Sequence, residues 1–180
     1  MSATAVQNAR PWFEQAASDL RAALALYARP APMTDQDVGC HVAALCSQAM
    51  EKSLKGYLLL NGMSPAIDHR PDKYLATLLA KDNPLLRYAG HHAHLSRLFD
   101  QDSRRTLTQL LDLTPGGLGK RTDVPSTEYP WREEVGWRHA PVEHAAFSDA
   151  QALRKWVTAA SRMTTTLDKL RKAVDRGTSL

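Results

Sequence analysis

The chain has 180 residues, 43% of them apolar, enough for a single domain with a real hydrophobic core. Its formal charge of +4 is mild. No run approaches the roughly 20 apolar residues of a membrane span, which argues against a membrane protein.

The N-terminus, MSATAVQNARPWF, has no apolar signal core, so the expected location is the cytoplasm. Phe13, Ala16, Leu20, Ala23 and Tyr27 recur at steps of three and four, the period of an amphipathic helix. Pro11 suits the first turn of that helix, and Pro30 and Pro32 end it. Thr34 then offers an N-cap, with Asp35 and Asp37 favourable in the first turn of a second helix. This helix is expected to run from about Asp35 to Leu60, stopped by Asn61-Gly62, because glycine accepts the left-handed conformation of a C-cap.

The second helix carries the strongest pattern of the chain. His41, Gln48, Lys52 and Lys55 share one stripe amid Leu, Val, Ala and Met. Most amphipathic helices scatter such residues over the solvent face. A convergent stripe of donors could hold a phosphate or a base, with His69 of the following loop as a fourth donor. The plainer alternative is that the two lysines lie along the surface and that Glu51 pairs with Lys55 at i,i+4. Cys40 and Cys46 lie six residues apart on the same helix, about 9 Å along its axis, too far for a mutual disulfide. Packed, reduced thiols are expected.

A third helix starts near Pro71 and carries Tyr74, Leu75, Leu78 and Leu79, and Asp82-Asn83-Pro84 breaks and restarts it. A fourth continues to about Phe99, and a shorter one covers Ser103 to Leu113. Residues 114–147 are the least regular part, with four prolines and four glycines, and no convincing strand is evident. Tyr129, Trp131 and Trp137 indicate that part of this loop packs down. Ser148 to Gln151 reads as a capping box opening a last helix. Its seam of Leu153, Trp156, Ala160, Met163, Leu167, Leu170 and Val174 is continuous enough to bury against a bundle or a second subunit. Residues 148–176 hold seven Lys or Arg against three Asp, a local excess equal to the net charge of the chain. A basic last helix permits an anionic partner, although a solvated face is the commoner explanation.

Taken together, these segments resemble the HEPN domain family. Trp12-Phe13 to Tyr27, with Asp19-Leu20, resembles its opening helix. His41, Gln48, Glu51, Lys52 and Lys55 resemble the pattern of its second helix. His69 before a Leu-rich helix, Tyr129-Pro130, and Phe147-Ser148 ahead of an Ala-rich helix resemble later landmarks in the same order. The resemblance implies an all-α, up-and-down bundle of four to five helices over residues 1–180, commonly a homodimer. It implies a nucleotide-binding or interaction module, with a nucleotide or RNA as ligand and a nucleotidyltransferase or other nucleic-acid-acting protein as partner. No cofactor is called for.

Family members also include metal-independent ribonuclease toxins of toxin–antitoxin pairs, which use an Arg, four to six residues, then a His. Arg87 with His92 or His94 fits that spacing, as do Arg132 with His139 and Arg138 with His144. In such a site His would act as general acid or base and Arg would stabilise charge at phosphorus. Arg87 and His94 would share a helix face. His91 and His94 could form a metal pair, but no third ligand is apparent nearby, and no metal site is expected. A third alternative is a purely structural dimerisation domain.

Overall fold

A computed structural model describes residues 3–29, 35–65, 91–112, 131–133, 136–139 and 145–177, together with Tyr74 and Leu78. The architecture is an all-α helical bundle. Helix α1 spans Ala3–Tyr27, α2 Asp35–Leu60, α3 His91–Leu98, α4 Gln101–Asp112, α5 Ala145–Ser148 and α6 Ala150–Asp175. Tyr74 and Leu78, where the third helix was expected, are helical and buried.

Helix α2 is the axis of the bundle. It packs against α1, α4, α5 and α6. Buried residues therefore occur all round it, from Cys40, Val42 and Ala43 through Ala49 and Met50 to Leu54, Tyr57 and Leu60. Its end follows the expected Asn61-Gly62 stop. Gly62 takes φ 78°, its N–H bonds to the carbonyl of Leu59, and the N–H of Met63 bonds to that of Leu58. That is the paired pattern of a Schellman cap.

Helix α1 presents Ala9, Phe13, Ala16, Leu20 and Ala23 to the core. It begins eight residues before Pro11, which lies exposed inside the helix and not in its first turn as the sequence suggested. Buried Ala9 and partly buried Val6 pack on the core and offset the backbone hydrogen bond that proline removes.

Two helix starts also differ from expectation. The short helix near residue 103 starts at Gln101, because the Asp100 carboxylate accepts from the Ser103 N–H at 2.8 Å. The cap of the last helix is Asp149, whose side chain accepts from the N–H groups of Gln151 and Ala152. Ser148 instead closes α5, a single turn that inserts Phe147 edge-on against Trp156, with ring centroids 6.3 Å apart. The irregular stretch before it contains a small antiparallel hairpin that alternation did not reveal. Trp131–Glu133 (β1) pairs with Gly136–His139 (β2) in the register Arg132 to Trp137 and Glu133 to Gly136.

Every residue of the expected seam on α6 is buried, and α6 packs against α1, α2, α3, α4 and α5. The seam is thus consumed within this chain and supplies no surface for a second subunit. Thr164 on the same helix is buried too, its hydroxyl 3.2 Å from that of Ser53 on α2. Such a satisfied polar pair sets the register of two otherwise apolar faces.

Two glycines mark close approaches. A Cβ on Gly39 would stand 1.7 Å from the carbonyl oxygen of Phe147, a backbone atom. A Cβ on Gly56 would meet the Phe13 ring at 2.9 Å. Gly39→Ala is expected to destabilise the fold by about 3 kcal/mol or more, because α5 must move as a unit. Gly56→Ala should cost about 1 kcal/mol, since the ring can shift and alanine favours the helix by a similar amount. Urea denaturation of the two variants checks the order.

Candidate functional site

The second half of the polar stripe of α2, at Lys52 and Lys55, faces α1. Asp19 lies against Lys52, Trp12 against Lys55 and Phe13 against Gly56. From Lys52 to Lys55 and Gly56 the facing residue drops from Asp19 to Trp12 and Phe13, so the two helices run antiparallel.

Asp19 is 7% exposed, a carboxylate on the core-facing side of α1. Such a group needs compensation, because an unpaired buried charge is strongly unfavourable. It has two partners: the Lys52 ammonium makes a close ion pair with it, and the Gln15 amide donates to it at 2.8 Å. Lys52 also donates to the Gln48 amide oxygen at 3.4 Å and keeps 25% of its side chain in solvent. One turn further on, Lys55 is buried, its ammonium 2.6 Å from Glu51 and 5.6 Å from the Trp12 ring centroid. Arg171 of α6 approaches from the other side. It donates to Asp168 at 2.8 Å, lies 3.7 Å from Asp175, and sits 5.7 Å from the Phe13 ring centroid. The Trp12-Phe13 pair is therefore flanked by two cations, each already matched to a carboxylate.

The residues singled out on the sequence fall unevenly. Gln48 and Lys52 meet, half-buried, at the α1–α2 edge. Lys55 is paired with Glu51, the plainer of its two readings. His41 is exposed and stands eleven residues from Lys52, about 16 Å along the helix, so it does not join the other three in one small cleft. His69 and Arg87 lie outside the described residues. His92 and His94 belong to α3, with side chains outside the description. Among the described residues no group of three His, Cys, Asp or Glu is placed to hold a metal ion. Among them, too, no helix is long and apolar enough to cross a membrane.

Sequence reasoning missed Asp19 as the partner of Lys52, and with it Gln15 and Arg171. A signal existed: Asp19 falls three residues after Ala16 and four before Ala23, on the apolar face of its helix. Nothing local announced that the matching cation lay 33 residues away.

Both cysteines are buried and free. Burial pushes the Cys46 thiol up to about 12. It also raises that of Cys40, against smaller opposing backbone hydrogen bonds. Neither is poised as a nucleophile at neutral pH.

The chain matches no protein-family model, no curated protein and no solved structure.

Two outcomes follow from this arrangement. Lys52→Ala should lower stability by about 2 kcal/mol, because it strands Asp19. The double variant Asp19→Asn with Lys52→Met should recover most of that loss, as measured by denaturant titration. Neither cysteine should react with a disulfide reagent at pH 8 in the native protein, and both should react in denaturant. Fast labelling of native Cys46 would contradict the packing described.

Proposed function

We propose that this chain is a HEPN-like binding module that takes an anionic nucleotide at the α1–α2 edge and works as the partner of a nucleotidyltransferase or another nucleic-acid-acting protein. The resemblance of Trp12 to Tyr27 and of His41 to Lys55 to that family supports the class. The observation that carries the site is the setting of Lys52. Asp19 holds its ammonium from one side and Gln48 from the other, with a quarter of the side chain still in solvent. An ammonium has three donors; among the described residues these partners take two, and the third can meet a phosphate oxygen. The half-buried Gln48 amide supplies further donors beside it for a base or ribose. A cation already fixed in place loses less side-chain entropy on binding than a free surface lysine. The neighbouring Asp19 carboxylate limits the attraction, so affinity in the micromolar to millimolar range is expected.

Calorimetry with ATP, GTP and AMP tests this reading. Gln48→Ala and Lys52→Gln should each weaken binding about tenfold in protein that remains folded, the loss of one charge-assisted contact of about 1.5 kcal/mol. His41→Ala should leave the affinity of AMP unchanged, since that side chain stands too far along α2. No binding at millimolar nucleotide would overturn the site. RNA cleavage in EDTA that is abolished by changing Arg87 or His94 would replace the binding module with a ribonuclease.

A further inference from the structure

The face of α6 turned away from the core has a regular composition. Lys155, Arg162, Lys169 and Arg176 follow one another at intervals of seven residues, and all four are exposed. Seven residues rise about 10.5 Å and drift only about 20° around the helix. The four cations therefore form a nearly straight track about 32 Å long. Exposed Thr158 and Thr165 lie between them, and exposed Lys172 flanks the track.

Among the described residues, the acidic groups around this face leave it positive. Asp168 and Asp175 are engaged by Arg171 on the inner side, and Asp168 also holds Lys172 at 2.7 Å. Asp149 caps the start of the helix. From the junction between α3 and α4, Asp100 lies 3.5 Å from Arg162, and Asp102 is exposed on α4 beside exposed Arg104 and Arg105. Arg162 also donates to the carbonyl of Arg97 at 2.7 Å, which fixes the second cation of the track. Lys155, Lys169 and Arg176 have no ion pair among the described residues.

Three kinds of anionic partner are chemically available, and the composition of the face separates them. A membrane-surface helix must sink an apolar face into the lipid boundary, and the apolar face of α6 is buried in the bundle. An acidic protein helix would bury no apolar area here, and exposed ion pairs contribute only about 0–1 kcal/mol each. A nucleic-acid backbone supplies closely spaced phosphates, and cations that neutralise them release condensed counterions, a gain that needs no apolar contact. Threonine hydroxyls between the cations are suitable further donors to phosphate oxygens.

We propose that the outward face of α6 is a docking track for a nucleic-acid backbone, contacted through its phosphates without base selectivity. This surface is separate from the α1–α2 edge and does not depend on it.

Fluorescence anisotropy with a labelled single-stranded 20-nucleotide RNA, at several salt concentrations, tests the track. Four to five phosphate contacts predict a log–log salt slope of about −3 for single strands. Lys155→Gln with Lys169→Gln should reduce its magnitude by about 1.4 and weaken binding at least tenfold at 50 mM salt. Circular dichroism and thermal melting of that variant should match the native protein. A 20-base-pair duplex run in parallel distinguishes strand from duplex, and a scrambled sequence should bind equally well. Lys52→Gln, which alters the α1–α2 edge alone, should leave RNA binding intact, so failure of either site is read separately. The proposal is overturned by the absence of saturable RNA binding at 50 mM salt. A double variant with unchanged affinity and slope, or preference for polyglutamate or phosphatidylserine vesicles over RNA, overturns it equally.

Discussion

The ion pair between Asp19 and Lys52 is the constraint on which the α1–α2 hairpin depends. Helix α2 is enclosed on nearly every side, yet it carries two lysines in its second half. A helix so placed can keep ammonium groups only if carboxylates accompany them, since desolvation of an unpaired charge outweighs any packing it brings. Lys55 has its carboxylate on its own helix, in Glu51. Lys52 must find one elsewhere and finds Asp19. That single pairing aligns Phe13 with Gly56 and Trp12 with Lys55, because all lie on the same two antiparallel rows. A slip of one turn would separate the charges and drive the Phe13 ring against a residue larger than glycine.

Small residues at the remaining contacts let this register close. Ala9, Ala16 and Ala23 recur every seven positions on the buried face of α1. Gly39 does the equivalent at the other end of α2, where the backbone of Phe147 comes too near for any side chain. Phe147 is held there by Trp156, so α5, α2 and α6 meet at one aromatic contact. The Ser53–Thr164 hydroxyl pair and the Arg171–Phe13 contact tie α6 to the same frame. The core thus combines apolar burial, which is not directional, with a few polar contacts that are.

Charge is used in two physically different ways in this molecule. Around Trp12 and Phe13, cations and carboxylates are matched nearly one to one and partly withdrawn from water, an arrangement that favours fixed geometry over attraction for outside ions. On the outer face of α6 the cations are solvated and, among the described residues, mostly unmatched, and attraction acts at a distance that salt screens. The Asp100 carboxyl belongs to the second regime. The Ser103 hydroxyl and N–H, and then Arg162, hold it below its ordinary value. A depressed value means that its small contribution is present at neutral pH and is lost as acid titrates it in the folded state.

Local signals located α1 from Pro11 onward, α2, α6, the stop at Gly62 and the buried seam of the last helix, because these follow from local backbone preference and from a 3.6-residue repeat of apolar side chains. They also placed Gln48, Lys52 and Lys55 on one stripe, and the Glu51–Lys55 pair, both set by spacing along a single helix. What covers each face is a long-range matter, and there the sequence was silent. The helix through Pro11 exists because Val6 and Ala9 find the core. The hairpin of Trp131–Glu133 with Gly136–His139 exists because two short segments pair, without any alternation that marks them. The seam of α6 could have served a second subunit or its own bundle, and only the meeting of α6 with α1 and α2 decided for the bundle. Above all, a stripe of donors on α2 is the same in sequence whether it opens to a ligand or closes on a neighbour. The tertiary fold closed most of it, by bringing a carboxylate 33 residues away to Lys52, and left one edge in water.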